Sequence, residues 1–259
     1  MPEGVEIEIY RQAAEHALGR EVAEVDANDE WFCKEGTTPE ALVEALTGAT
    51  FTAARRRGKL LVLDYEGGTL GLRFGMTGRI IVDGDAPIDT LEYSSDRNDP
   101  GWDRFVLHFA DGGALRLRDP RRLGGVVLDP DEDALGADVF TITGAELNRR
   151  VFVGHVALKA RMLDQKRVAG IGNLIADETL WRAGIDPARP ASSLDANEKK
   201  RFRHHLASVL DDFVKNGGSH TGRLQPARQR GSTCPKDGAP LDRRTVGGRT
   251  TFSCPQHQR

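Results

Sequence analysis

Leu163-Asp164-Gln165-Lys166-Arg167-Val168-Ala169-Gly170-Ile171-Gly172-Asn173 runs directly into Leu174-Ile175-Ala176-Asp177-Glu178-Thr179-Leu180-Trp181. A Gly-Ile-Gly turn followed by an apolar and charged segment reads as a tight loop that delivers the chain to a helix N-terminus. The first backbone N–H groups of that helix lack intrahelical partners, and the positive dipole end attracts phosphate, with Asn173 placed to cap the helix or touch the anion. A GxG turn before a helix is ordinary in isolation, so its meaning depends on its surroundings. Downstream, Asp195 stands at an N-cap before Ala196 to Val214, and residues 151–222 read as a helical domain.

Upstream the pattern changes. Residues 3–18 space Val5, Ile9, Ala13 and Ala17 at helical intervals and stop at Gly19, and Thr38-Pro39-Glu40 opens a second short helix ending near Gly48. Short β-like runs follow at 60–64, 69–73, 79–82, 105–109, 114–118 and 125–128. Gly67-Gly68 and Asp111-Gly112-Gly113 supply hairpin turns between them. Residues 1–130 thus read as a β-rich domain with a helix at its front and another inserted. Asp129-Pro130-Asp131-Glu132-Asp133 is an acidic break, and 131–150 is assigned as the linker. Residues 223–259 form a third, Gly- and Arg-rich segment with two cysteine-bearing knuckles.

The 259 residues carry 39% hydrophobic and 29% charged side chains, which excludes a disordered or fibrous chain. No apolar run reaches the roughly 18 residues of a membrane span, and the start Met1-Pro2-Glu3-Gly4-Val5-Glu6 is acidic where a signal peptide is basic; the expectation is a cytoplasmic monomer with no membrane partner. The three cysteines are too few for a disulfide scaffold. A net charge of −3 taken as an average argues against nucleic acid, but residues 215–259 hold nine Lys or Arg against two Asp, a local +7 that leaves the remainder at −10. This segregation gives a basic face on an acidic body, suited to phosphate contact at one surface.

Four constellations carry chemistry. Loss of Met1 would expose Pro2, a secondary amine with a reference pKa near 8, able to attack a carbonyl-like carbon and form an iminium; Glu3 follows as a proton carrier. Arg55-Arg56-Arg57-Gly58-Lys59 can bring Lys59 to an anion, or be a solvated charge run on a strand edge. Phe74-Gly75-Met76-Thr77-Gly78 and Asp119-Pro120-Arg121-Arg122-Leu123-Gly124 are glycine-bearing turns with apolar tips. Met76, Leu123 and Arg121 suit a wedge and cation entering a vacated base stack, or serve as ordinary core and turn residues. Cys234-Pro-Lys-Asp237, sixteen residues, then Cys254-Pro-Gln-His257 fit a four-ligand Zn2+ ribbon with one carboxylate ligand; the alternative is a metal-free hairpin.

In this order, these motifs resemble the formamidopyrimidine-DNA glycosylase and endonuclease VIII family along nearly the whole chain. The Asp164–Asn173 stretch is similar to that family's helix-two-turn-helix, and Val246-Gly247-Gly248-Arg249-Thr250-Thr251-Phe252 to its zinc-finger hairpin. The resemblance implies an α+β fold: an N-terminal β-sandwich flanked by helices, and a C-terminal helical domain ending in the finger, with DNA bound between them. It implies a bifunctional glycosylase and abasic-site lyase acting on double-stranded DNA that contains a damaged base or abasic site. Pro2 would attack C1′, Glu3 would move protons, and Lys59 would contact DNA near the lesion. Asn173 and Arg249 would clamp flanking phosphates, Glu6 would lie in the pocket, and β- and δ-elimination would follow through the iminium. No organic cofactor is implied.

The chain departs from the family pattern at several points. Gly4-Val5 stand where a proline is common before the second glutamate, and the Pro2-Glu3-Gly4 start leans toward endonuclease VIII. Leu123 replaces the usual phenylalanine of the formamidopyrimidine branch, the 218–234 segment is shorter than the loop covering an oxidised purine, and Asp237 and His257 replace two cysteines. A catalytically weak damaged-DNA-binding protein of the same fold, or an RNA-binding helical module beside an unrelated β domain, are the competing readings.

Overall fold

A computed structural model describes residues 1–88, 91 and 97–259. The chain forms two compact units, one of Met1–Pro2 with Glu6–Glu132, the other of Glu3–Val5 with Asp133–Arg259.

The first unit contains α1 (Gly4–Ala14, its first two residues in the other unit), β1 (Val22–Asp26), α2 (Pro39–Leu46), β2 (Phe51–Arg57), β3 (Leu60–Tyr65), β4 (Gly68–Arg73), β5 (Arg79–Val82), β6 (Asp103–Phe109), β7 (Ala114–Arg118) and β8 (Gly125–Leu128). Its sandwich is built from two antiparallel four-stranded sheets, ordered β2-β3-β4-β8 and β1-β6-β7-β5. Leu60–Leu63 are buried without alternation, as befits a strand covered on both faces. The α1 residue Tyr10 packs on Phe74 at 4.7 Å between ring centroids and donates its hydroxyl to the Gly78 carbonyl at 3.3 Å. Burial pushes the Tyr10 phenol far above its ordinary range, with the nearby Glu6 charge adding to the effect, so it serves as a neutral donor. Thr38 caps α2, accepting from the Ala41 amide at 3.2 Å.

The second unit contains β9 (Ala137–Asp138), α3 (Gly144–Arg150), α4 (Leu158–Leu163), β10 (Val168–Ala169), α5 (Asn173–Ala183), α6 (Ala196–Lys215), β11 (Asp242–Val246) and β12 (Arg249–Ser253). The expected linker at 131–150 is folded. β9 pairs in parallel with β10, Thr143 and Glu146 form a capping box at α3, and Val139 and Leu147 enter the helical core. These elements span two and seven residues, too short for periodicity to reveal them. Nearly every residue of α5 is buried. α5 packs on α6, whose Phe202, Leu206, Val209, Leu210 and Phe213 form one apolar stripe. Residues 223–259 do not stand apart, because Trp181 of α5 shares a small core with Leu224, Cys234 and Cys254.

Candidate active site and nucleic-acid interface

Gln165 fastens the Asp164–Asn173 turn from within. Its amide nitrogen donates to the Leu163 and Ile171 carbonyls at 2.9 and 2.8 Å, and its oxygen accepts from the Gly170 amide at 3.0 Å. Gly170 adopts φ +107°, a conformation glycine favours, and its carbonyl accepts from the Gly4 amide at 2.8 Å. The backbones are so close that a Cβ on Gly4 would press on Gly170.

That approach delivers Glu3 to the start of α5. Its carboxyl oxygens accept from the Leu174 and Ile175 amides at 2.8 and 3.0 Å, and only 1% of the residue is exposed. Two of the helix's orphan donors are thus satisfied by a residue 171 positions away, and the dipole end complements its negative charge. Where the sequence suggested a phosphate at this helix start, the anion on the Leu174 and Ile175 amides is a carboxylate of the chain itself. Gly172 makes room: it is extended, not left-handed, and a Cβ there would overlap the Glu3 carboxyl. Pro2, the adjoining residue, is buried.

Asn173 is the first residue of α5 and does not cap it. Its amide nitrogen instead donates to the Thr250 carbonyl at 3.1 Å, which sets it beside Arg249 at the tip of the β11–β12 hairpin. The Asn173 Oδ1 is buried with no hydrogen-bond partner among the described residues, while Arg249 is exposed. The hairpin turns through Gly247-Gly248 at φ +60° and +73°, as a two-residue turn of this hand requires.

A buried cluster that sequence reasoning missed supports this hairpin. Lys159 and Asp177, 0% and 1% exposed at their side chains, pair at 2.6 Å, and Arg228 pairs with the other Asp177 oxygen. Lys159 also donates to the Thr251 hydroxyl at 2.6 Å. Burial holds the Lys159 pKa below its usual range, with Asp177 opposing that effect. Next to it, buried Glu178 accepts from the Arg223 and Leu224 amides at 3.1 and 2.9 Å and pairs with Arg182 at 2.7 Å. The adjacent acids in the middle of an otherwise apolar helix were the available signal, since buried carboxylates require partners.

Cys234, Asp237, Cys254 and His257 converge, with one ligand atom from each lying within 4.8 Å of the others. The surroundings suit a tetrahedral metal. The Trp181 indole N–H and the Lys236 amide donate to the Cys234 sulfur at 3.3 and 3.4 Å, as suits a thiolate. His257 holds its Nε2 3.1 Å from the Trp181 carbonyl, which turns Nδ1 into the cluster, 2.7 Å from Asp237 Oδ2. Gln258 ties the second knuckle down, accepting from the Cys254 amide at 2.7 Å and donating to the Ile185 carbonyl at 3.0 Å.

In the first unit, Asp119 is fully buried and organises the Asp119–Gly124 turn. It accepts from the Arg121 amide at 3.1 Å, the Leu123 and Gly124 amides at 2.8 Å each, and the Thr77 hydroxyl at 2.5 Å. The Thr77 bond joins the two glycine-bearing turns, and Gly75, at φ +55°, lies so close to the Leu123 backbone that no Cβ fits. Met76 is half-buried, while Arg121 and Leu123 are exposed on adjoining turns. Lys59 lies half-buried in the two-residue β2–β3 turn, and Glu6 is buried on α1. Much of the neighbouring basic run is committed: Arg55 pairs with Asp64 and Glu132 at 2.7 and 2.9 Å, and Arg56 with Glu8 at 3.0 Å. Both helical and sheet units therefore present preassembled groups, with Glu3 buried at a helix terminus in one and an exposed apolar and cationic rim in the other.

Known proteins share this architecture. The formamidopyrimidine-DNA glycosylase N-terminal domain matches residues 1–126, and the formamidopyrimidine-DNA glycosylase H2TH domain matches residues 129–224. A formamidopyrimidine-DNA glycosylase from Methylococcus capsulatus is 34% identical over 288 aligned positions that cover both chains completely. One from Methylobacillus flagellatus is 32% identical, covering all of this chain and 96% of its own. The Lactococcus lactis Fpg solved with abasic-site DNA superimposes with a TM-score of 0.82 at 25% identity, covering 99% of each chain. The same enzyme solved with FAPY-dG DNA gives 0.81 at 25% identity, over 98% of this chain and 99% of that one. Matches that extend over both units and nearly every residue leave one assignment: the chain belongs to the formamidopyrimidine-DNA glycosylase family.

Proposed function

We propose that this protein is a base-excision-repair DNA glycosylase that removes oxidised or otherwise modified bases and then cuts the strand at the abasic site. The observation that carries the reading is the Glu3 carboxyl group, buried and held at both oxygens by the Leu174 and Ile175 amides, one peptide bond from Pro2. Removal of Met1 frees the Pro2 nitrogen, whose reference pKa near 8 leaves a useful neutral fraction at physiological pH.

The nitrogen lone pair attacks C1′ of an everted nucleoside, and the bond from C1′ to the base breaks, the base leaving with that electron pair and gaining a proton. The nitrogen then loses its proton, and its pair forms the C1′ iminium as the C1′–O4′ bond opens. Glu3 takes up the proton that the nitrogen loses, hands it to O4′ and accepts protons later. Loss of a C2′ proton expels the 3′ phosphate, a second elimination expels the 5′ phosphate, and water releases the amine. Damaged duplex DNA is the substrate, in keeping with the name of the Methylococcus capsulatus relative and with the Lactococcus lactis Fpg complexes with abasic-site and FAPY-dG DNA. Lys59 contacts the DNA near the lesion beside the catalytic Pro2 and Glu3, Asn173 and Arg249 hold the flanking phosphates, Met76, Leu123 and Arg121 fill the vacated stack, and Glu6 lines the pocket. Residues 1–130 act as the catalytic domain, with 151–222 and 223–259 gripping the duplex. Cys234, Asp237, Cys254 and His257 would hold a structural zinc, which supplies folding free energy to the hairpin.

Borohydride reduction during incubation with an abasic duplex tests the chemistry. The expected product is a covalent adduct whose DNA mass maps to the N-terminal peptide beginning at Pro2. A protein that binds the duplex yet yields no adduct, or yields one on a lysine, overturns the reading, and binding without cleavage supports the damage-binding alternative.

A further inference from the structure

Trp31 is 67% exposed and Leu123 49%, and these are two of the four large hydrophobic residues exposed among those described. They belong to two strips that the fold binds side by side. Cys33 bridges Val126 in parallel, the Lys34 amide donates to the Val126 carbonyl at 2.9 Å, and Arg122 donates to Asp29 at 2.8 Å. Phe32, fully buried, packs where a Cβ on Gly124 would otherwise sit. With Phe32 turned inward and Asp29 tied to Arg122, Trp31 is exposed on the strip that runs beside the Leu123 turn. The ring is not loose: the Lys34 ammonium lies 4.7 Å from its centroid and donates to the Trp31 carbonyl.

Charge on this rim favours an anion. Asp29 is taken by Arg122 and lies 3.9 Å from Arg104, and Glu35 pairs with Arg73 at 2.7 Å. With Lys34 and Arg121 added, five cations face four carboxylates, the other two being Glu30 and the buried Asp119, whose oxygens are taken by the amides of its own turn. A solvent-facing indole held beneath a cation and next to an apolar wedge matches what single-stranded or unstacked nucleic acid requires: an aromatic platform for a base and a positive charge for its phosphate.

We propose that Trp31 and Lys34 form a stacking platform for an unstacked base of the DNA at the edge of the Leu123 wedge, a contact that adds affinity without entering the chemistry. The inference rests on the glycosylase reading and specifies how the duplex is held. Trp31→Ala is expected to weaken binding of a duplex carrying a stable abasic analogue by about 10-fold. Trp31→Phe should restore most of the loss, and Lys34→Ala should flatten the salt dependence. The emission lost when wild-type protein binds that duplex should shrink in Trp31→Phe. Melting temperature is expected to be unchanged, because the ring is exposed, so weaker binding would not reflect unfolding. Unaltered affinity in Trp31→Ala, or an indole equally open to iodide quenching with and without DNA, overturns the platform while leaving base excision intact. If wild-type protein shows no preference for the abasic duplex, both readings fall.

Discussion

Helices α5 and α6 lie against each other, yet they begin in opposite ways. At α6 the cap is local: Asp195 accepts from the Glu198 amide at 2.8 Å and Glu198 accepts from the Asp195 amide at 2.9 Å, a reciprocal box across three residues. At α5 no local side chain caps the terminus, and Glu3 arrives from 171 residues away to bind two amides. The first arrangement serves the helix end and, through Glu198, the neighbouring Arg189. The second uses a helix terminus to hold a carboxyl group one peptide bond from Pro2, so that, under the mechanism proposed above, a requirement of folding and one of chemistry are met by the same bonds. Breaking the remote cap should therefore cost stability and function together, whereas breaking the local one should cost a little stability only.

The largest effect is expected from Gly172→Ala. Its methyl group would occupy the space of the Glu3 carboxyl, adding overpacking to the loss of two hydrogen bonds to a charged group, in total about 4 kcal/mol. Displacement of the proton carrier by an ångström or so should lower borohydride trapping by about 100-fold even at temperatures where the protein stays folded. Thermal melting and trapping yield measured on one preparation check both halves, and a variant that melts lower but traps normally would show that Glu3 acts as a cap alone.

Next comes the hairpin that α5 supports. Removing the carboxylate in Asp177→Ala strands Lys159 in a fully buried site and should cost about 3 kcal/mol. Metal chelation should be milder at the hairpin tip, because Thr250 and Thr251 are held by Asn173 and Lys159 and not by the four convergent ligands. Hydrogen exchange after chelation is expected to loosen the amides of 234–238 and 254–258 while those of 250–252 stay protected. The reverse pattern is expected in Asp177→Ala with metal present.

The same contrast explains what could be read from the chain beforehand. Asp195 as a cap, Gly247-Gly248 as a turn and the two knuckles are visible because the interacting residues are close in sequence or fixed by spacing. Six strands were legible from short apolar runs and turn residues, but β1 and β2 were not: Val22–Asp26 is short with two acids, and Arg55–Arg57 look like a cationic cluster until Asp64, Glu132 and Glu8 are seen beside them. The Gly170-Ile171-Gly172-Asn173 turn was recognisable as a site for an anion, whereas the anion's identity required the long-range fold. Likewise the Asp119 network was hidden inside a motif whose arginines and leucine drew the attention, although a buried acid is what gives the Arg121–Gly124 backbone its shape.

The local cap gives the smallest effect and the cleanest control. Asp195→Ala removes one of the two reciprocal bonds at an exposed helix end, which costs about 1 kcal/mol, and should leave DNA binding and trapping untouched. Acid should act on the same box through its other member. Arg189, bonded to Glu198 at 2.5 Å, holds that carboxyl below its ordinary range despite partial burial, and the Asp195 amide assists. A carboxylate whose folded pKa lies below its unfolded value contributes stability that is complete above the unfolded value, near 4.3, and fades as pH falls through the folded one. The stabilisation from Glu198 should thus persist at neutral pH and disappear only on strong acidification. Melting curves of wild type and Glu198→Gln should be separated at pH 7 and draw together as pH falls through the lowered folded value of Glu198. A separation that did not shrink at any acid pH where the protein still folds would mean that the cap holds by shape and not by charge, and the difference between the two helix starts would then lie in reach alone.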